Sequence, residues 1–215
     1  MYVDPAITIA PETDEKKHID YSYLTQQGNV SIEFYWRANV ITTVNKLNEW
    51  LENGDPPDLL VMDASAHQAK WARNYSEFQD EVPLLVEAVN AWHQRWGLRR
   101  PLFWIISPAF REEWKPDDEF IQWCYSLKTF NAVLRTAGFL MPQGPVIPID
   151  LWSIAQDCMD WCYRDGTHVS QTINTLLWQI VSGGYEEMLK RAEELEEEQQ
   201  GGSGGGMSAS KKNKR

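Results

Sequence analysis

The sequence predicts an α/β fold, a three-layer sandwich whose mostly parallel sheet carries helices on both faces. Three observations point there. Short apolar runs alternate with long segments of helical periodicity from residue 30 to about 183, the pattern of strand–helix–strand units. The apolar runs are continuous rather than alternating, as suits strands buried on both faces. Glycine and proline fall at the joints between runs, where the chain must turn.

Residues 1–29 read as an irregular N-terminal segment, broken by Pro5, Pro11 and Gly28, with one short extended piece at 6–9. Residues 30–36 alternate and are aromatic, so they predict the first strand of the sheet. Val40, Val44, Leu47 and Leu51 recur at helical spacing, and Gly54 with Pro56 and Pro57 stops that helix. The run 58–62 predicts a buried strand, residues 78–96 a long amphipathic helix ended by Gly97, and 101–106 the next strand. Residues 117–137 form a second long helix closed by Gly138, and 146–151 a further strand. Helices are expected at 152–161 and 169–181, separated by Arg164, Asp165, Gly166, Thr167 and His168. The α/β domain is thus placed at 30–184, with an acidic helix at 185–200 carrying i,i+4 pairs Glu186–Lys190 and Glu187–Arg191. Residues 201–206 have the composition of an engineered Gly/Ser linker, and 207–215 read as a basic peptide fused behind it.

Composition bounds the function. The chain has 215 residues, 43% hydrophobic, with eleven tryptophans expected mostly in the core. Its net charge of −11 argues against direct nucleic-acid binding, which depends on a basic surface, and favours a basic partner. No apolar run reaches the length of a membrane span, and no signal peptide is expected. Three cysteines, Cys124, Cys158 and Cys162, predict free thiols, with Cys158 and Cys162 on one helix face. No metal site and no cofactor are expected, because the pair lacks two further ligands at useful spacing.

In an open parallel sheet, ligands gather at the carboxyl ends of the strands. The polar groups expected there are Asp63, Ser65 and His67 after one strand, Ser107 after the next, and Asp165 and His168 beyond the last. The D-x-x-H of Asp165 and His168, before an apolar helix, resembles the last motif of the SGNH (GDSL-type) hydrolases. The run 58–63, with Phe34-Tyr35-Trp36 and Phe130-Asn131, is similar to the PC-esterase branch, which includes sialic-acid and plant wall-polysaccharide O-acetyltransferases. The resemblance spans residues 30–183. It implies His168 as general base and Asp165 as the group that orients it.

Two departures accompany it. No Gly-Asp-Ser turn or other serine elbow occurs before residue 30. Where the family carries an oxyanion-hole Asn, this chain has Asp63, and a carboxylate there repels the charge that develops in the transition state. The resemblance therefore implies a degenerate hydrolase, a pseudoenzyme used to bind protein or peptide. The alternative is an O-acyl esterase or O-acetyltransferase whose nucleophilic serine is not in this chain. Candidate receivers for a basic peptide are Glu193, Glu194, Glu196, Glu197 and Glu198 on the terminal helix, and Asp117, Asp118 and Glu119. Unpaired cysteines and the Lys/Arg-rich tail suggest cytoplasm or nucleus, whereas the resembling branch suggests the Golgi lumen.

Overall fold

The computed structural model describes residues 20–24, 30–35, 37, 39–63, 66, 68–69, 75–108, 118–141, 143–156, 158, 160–164 and 168–202. The expected extended piece at 6–9 and the basic peptide at 207–215 lie outside them. Contacts divide the chain into two units, 1–38 and 39–215.

In the first unit, β1 (Tyr21–Leu24) pairs antiparallel with β2 (Ser31–Phe34), with Tyr21 opposite Phe34. This corrects the sequence reading twice. Residues 21–24 were expected in a loop, and 30–36 as a strand of the parallel sheet. A two-residue period in sequence looks the same whether a strand joins a hairpin or a larger sheet. Arg37 closes the hairpin with a two-point contact to Asp20, at 2.8 and 2.9 Å.

The second unit holds a parallel sheet in the order β3 (Leu60–Met62), β4 (Leu102–Ile105), β5 (Ile147–Ile149). Met62 pairs with Trp104, and Trp104 with Pro148. Pro148 has no N–H to give a further neighbour, so its place on an outer strand follows from its chemistry. Helix α1 (Val40–Asn53) precedes β3. The long crossovers are α2 (Tyr75–Trp96) between β3 and β4, and α3 (Asp118–Thr136) between β4 and β5. After β5 come α4 (Leu151–Gln156), a single 3₁₀ turn at Asp160–Cys162, and α5 (Gln171–Gly202).

The helix ends follow capping chemistry. Asn39 accepts from Thr42 N at 2.9 Å and so satisfies one of the amides α1 leaves open. Gly54 ends α1 in the left-handed region at φ 74°, donating to Trp50 O, where a β-carbon would strain the backbone.

Successive strand residues face opposite ways, and this sets the layers. Phe103, Ile147, Ile149 and Val61 turn to one face, against Leu177 and Val181 of α5. The approach is close at Gly184, where a β-carbon would come within 3.0 Å of the Phe103 ring. Trp104 turns the other way and meets Phe139, just past α3, edge-on at 4.9 Å. In that layer α1 packs on α2 and α2 on α3. Trp50 meets Trp92 edge-on at 5.9 Å, and Phe78 stacks on Phe130 at 3.9 Å. The fold is therefore a mixed α/β arrangement with a small parallel sheet between helical layers.

Three further differences bear on the site. The helix expected at 152–161 stops at Gln156. The last helix does not break near 184 but runs on to Gly202, taking in the first two glycines of the expected linker. Cys158 and Cys162, expected as free thiols, are joined in a disulfide with Cα atoms 5.9 Å apart, while Cys124 is free and buried.

Candidate functional site

The carboxyl ends of the three strands carry one polar residue each. Asp63 follows β3, Ser107 lies two residues past β4, and Asp150 follows β5. Ser107 is 0% exposed, and its hydroxyl donates to Asp63 Oδ2 at 2.6 Å. The bond joins adjacent strands across the rim. It satisfies a buried hydroxyl with a charged acceptor on the exposed Asp63, the stronger kind of hydrogen bond.

Asp150 is a rim residue that the sequence reading passed over. Its Oδ1 accepts from Ser153 N at 3.0 Å and its Oδ2 from Ser153 Oγ at 2.9 Å, the N-cap of α4. Arg135 approaches the same carboxylate at 3.4 Å. Partial burial pushes the Asp150 pKa up, but the two bonds from Ser153 and the charge of Arg135 together hold it below the ordinary aspartate value. The signal was available, because Asp150 stands directly before a helix with Ser153 three residues on.

His168 lies in the loop between the 3₁₀ turn and α5, with its side chain exposed. The described flanks of this loop run antiparallel. Tyr163 bridges Val169, Arg164 N donates to His168 O at 2.8 Å, and Ser170 N donates to Cys162 O at 2.7 Å. Asp165, Ser65 and His67 lie outside the described residues. Leu151, Ala155, Cys162, Tyr163 and Ile173 form a buried cluster, and Ile105, at the end of β4, and Val169 pack against it. Trp161, in the 3₁₀ turn, is 61% exposed, and Trp178, on α5, 50%. These two depart from the expected core role of tryptophan, which Trp50, Trp92 and Trp104 fulfil.

The acidic candidates differ among themselves. Glu196 forms a two-point contact with Arg99, Oε1 to Nε at 2.7 Å, which lowers its pKa and raises that of Arg99. Glu194 pairs with Lys190 at 3.9 Å, one turn along from the expected i,i+4 pairs. Glu193, Glu197 and Glu198 are exposed; Glu193 adds its charge to that of Glu196 at Arg99, while Glu197 and Glu198 form no ion pair among the described residues. Asp118 and Glu119 are exposed in the first turn of α3, where their charge complements the helix dipole, and Asp117 lies outside the described residues.

Among the described residues no group of three or more His, Cys, Asp or Glu side chains is placed to hold a metal ion, and no helix is long and apolar enough to cross a membrane. A shallow open depression of about 620 Å³ lies on α2 between Pro83 and Gln94, against Ala137, and includes none of the rim residues. Its mixed lining of Val86, Glu87, Asn90 and Ala91 has no convergent polar groups of the kind that orient a small ligand. Compared with protein-family models, curated proteins and solved structures, the chain matches none.

Proposed function

We propose that the chain is a degenerate SGNH-type domain that binds protein non-catalytically, with a basic peptide as its partner. The observation that carries this reading is the Asp63–Ser107 bond. It sets a carboxylate where the resemblance implies an oxyanion donor, and it engages the rim's buried hydroxyl with that carboxylate. Two further features support it. Trp161 and Trp178 present exposed aromatic surface, which protein interfaces favour. The net charge of −11, with Glu193, Glu197 and Glu198 exposed on α5, complements Lys211, Lys212, Lys214 and Arg215.

The partner test is titration of a separate peptide of sequence 207–215 into a chain ending at Gly202. Saturable binding is expected, and it should weaken as salt rises, because exposed charge pairs are screened. No saturation at low salt, or binding unchanged when Glu193, Glu197 and Glu198 become Gln, rejects this partner. For the chemistry, p-nitrophenyl acetate turnover by the full chain should not exceed that of a His168→Ala variant. Turnover that falls in the variant, with fluorophosphonate labelling of the parent, would instead establish an O-acyl esterase or acetyltransferase.

A further inference from the structure

Two adjacent glycines lie inside α5, and only one has a reason within the fold. Gly184 lies against the sheet, where a β-carbon would come within 3.0 Å of the Phe103 ring. Gly183 is exposed, and a β-carbon there would meet nothing within 4 Å. Its backbone does not lie in the left-handed region either, so any good helix former would fit. Glycine inside a helix is less stable than alanine. The helix is thus weakened at Gly183 with no gain in packing among the described residues.

The residues around Gly183 supply a reason. At about 100° per residue, Leu176, Ile180, Gly183, Glu187, Glu194 and Glu198 fall within about 60° of one another. They lie about a third of a turn round from Leu177 and Val181, which face the sheet. All six are exposed, Leu176 at 40% and Ile180 at 39%. They make a strip about 33 Å long, apolar over its amino half and acidic over its carboxyl half. The acidity extends beyond the strip, because residues 186–198 hold seven glutamates against Lys190 and Arg191. Gly183 sits at the boundary, a notch where a neighbouring chain can come close.

We infer that this strip seats a helix of a partner protein. Given the basic partner already proposed, on which this site rests, the partner helix presents Lys or Arg residues to the glutamates and, on the same face, an apolar pair to Leu176 and Ile180. The spacing decides for a helix. Exposed residues at i, i+4 and i+7 match the side chains of a second helix, which recur at the same interval. The charge decides against a second copy of this chain. Two copies packed parallel along the strip set glutamates against glutamates, and two packed antiparallel set the apolar half of each against the acidic half of the other. An antiparallel partner helix brings its basic residues and its own positive amino end to the acidic end of α5, so that orientation is the stable one.

The test uses an alanine-based helical peptide of about 25 residues, with lysines along one face of its amino half and two leucines four apart on the same face of its carboxyl half. A control peptide has glutamine in place of both leucines. Each is titrated at low salt into the full chain and into the chain ending at Gly202, with fluorescence anisotropy as the readout. The leucine peptide should bind about tenfold tighter than the control, because it alone covers Leu176 and Ile180. Gly183→Leu puts a good helix former into open space, so the thermal midpoint should not fall, while affinity for the leucine peptide should fall about tenfold as the notch fills. Leu176→Gln/Ile180→Gln, a change confined to exposed positions, should bring that peptide down to the control. Equal binding of the two peptides, or a leucine peptide that binds either variant as it binds the parent, overturns the site and leaves the basic partner standing. If neither peptide saturates with either chain, the basic-partner reading falls and the site falls with it.

Discussion

Two polar contacts of the second unit make an instructive pair. Asp63–Ser107 ties the carboxyl ends of β3 and β4, and its hydroxyl is wholly buried. Arg99–Glu196 ties the turn before β4 to the far part of α5, and both partners stand in water. On paper the second is stronger, with two bonds between full charges. In water the order reverses. Glu196 and Arg99 can exchange each other for solvent at little cost, whereas Ser107 has no solvent to turn to. Location, more than the number of bonds, decides what a polar contact contributes.

The largest expected effect tests the buried contact by its asymmetry. Asp63→Ala leaves the Ser107 hydroxyl buried without this acceptor and should cost about 2 kcal/mol of unfolding free energy. Ser107→Ala removes the donor and leaves Asp63, which is exposed, to hydrate, so it should cost about 1 kcal/mol. Urea titration of both variants gives the comparison. Equal losses, or a greater loss for Ser107→Ala, would show that the hydroxyl finds water when Asp63 is gone.

Asp150 lies between the extremes, half exposed but bonded to a helix end. Asp150→Ala should cost about 1 kcal/mol at neutral pH, the usual contribution of an N-cap. Its pH dependence has a definite sign. The folded pKa lies below the unfolded value of about 3.9. The contribution is therefore fully present above that value and is lost as pH falls through the folded pKa. Parent and variant should differ most near neutrality and converge in acid. A gap that widens on acidification contradicts the cap.

The same distinction explains how much of this molecule was legible in the sequence. Continuous apolar runs at 58–62 and 101–106, with glycine stops at Gly54, Gly97 and Gly138, located the sheet strands within two residues and the crossover helices within three. These signals are local, since burial on both faces and positive φ depend on the residue itself. Strand partnership is not local. Residues 31–34 look alike in a hairpin and at a sheet edge, so their antiparallel pairing with 21–24 was missed. The disulfide was hidden for the same reason, because i,i+4 cysteines read as a helix face until the chain departs from the helix. At the rim, Asp63 and Ser107 were each placed from their strands, but their bond joins residues 44 apart and had no sequence signature. The Arg99–Glu196 pair, 97 residues apart, was likewise out of reach.

That pair should give the smallest effect of all. Glu196→Gln keeps the length and shape of the side chain and removes only its charge. The carboxylate is held below the ordinary glutamate value by the bond and charge of Arg99, which makes the pair sound important. Both groups are surrounded by water, however, and the shift measures a preference for the charged form rather than a lock on the fold. The midpoint of thermal unfolding should be unchanged within error at physiological salt. Any small loss seen at low ionic strength should vanish as salt is added, since exposed charges are screened over roughly 8 Å at 0.15 M. The remainder of α5 also argues for a small effect, because Val181 and Gly184 hold the helix on the sheet through apolar contact that the substitution does not touch. A clear loss of stability that persists at high salt would mean that Arg99 and Glu196 anchor the outer turns of α5. The contrast with Asp63–Ser107 would then be one of degree only.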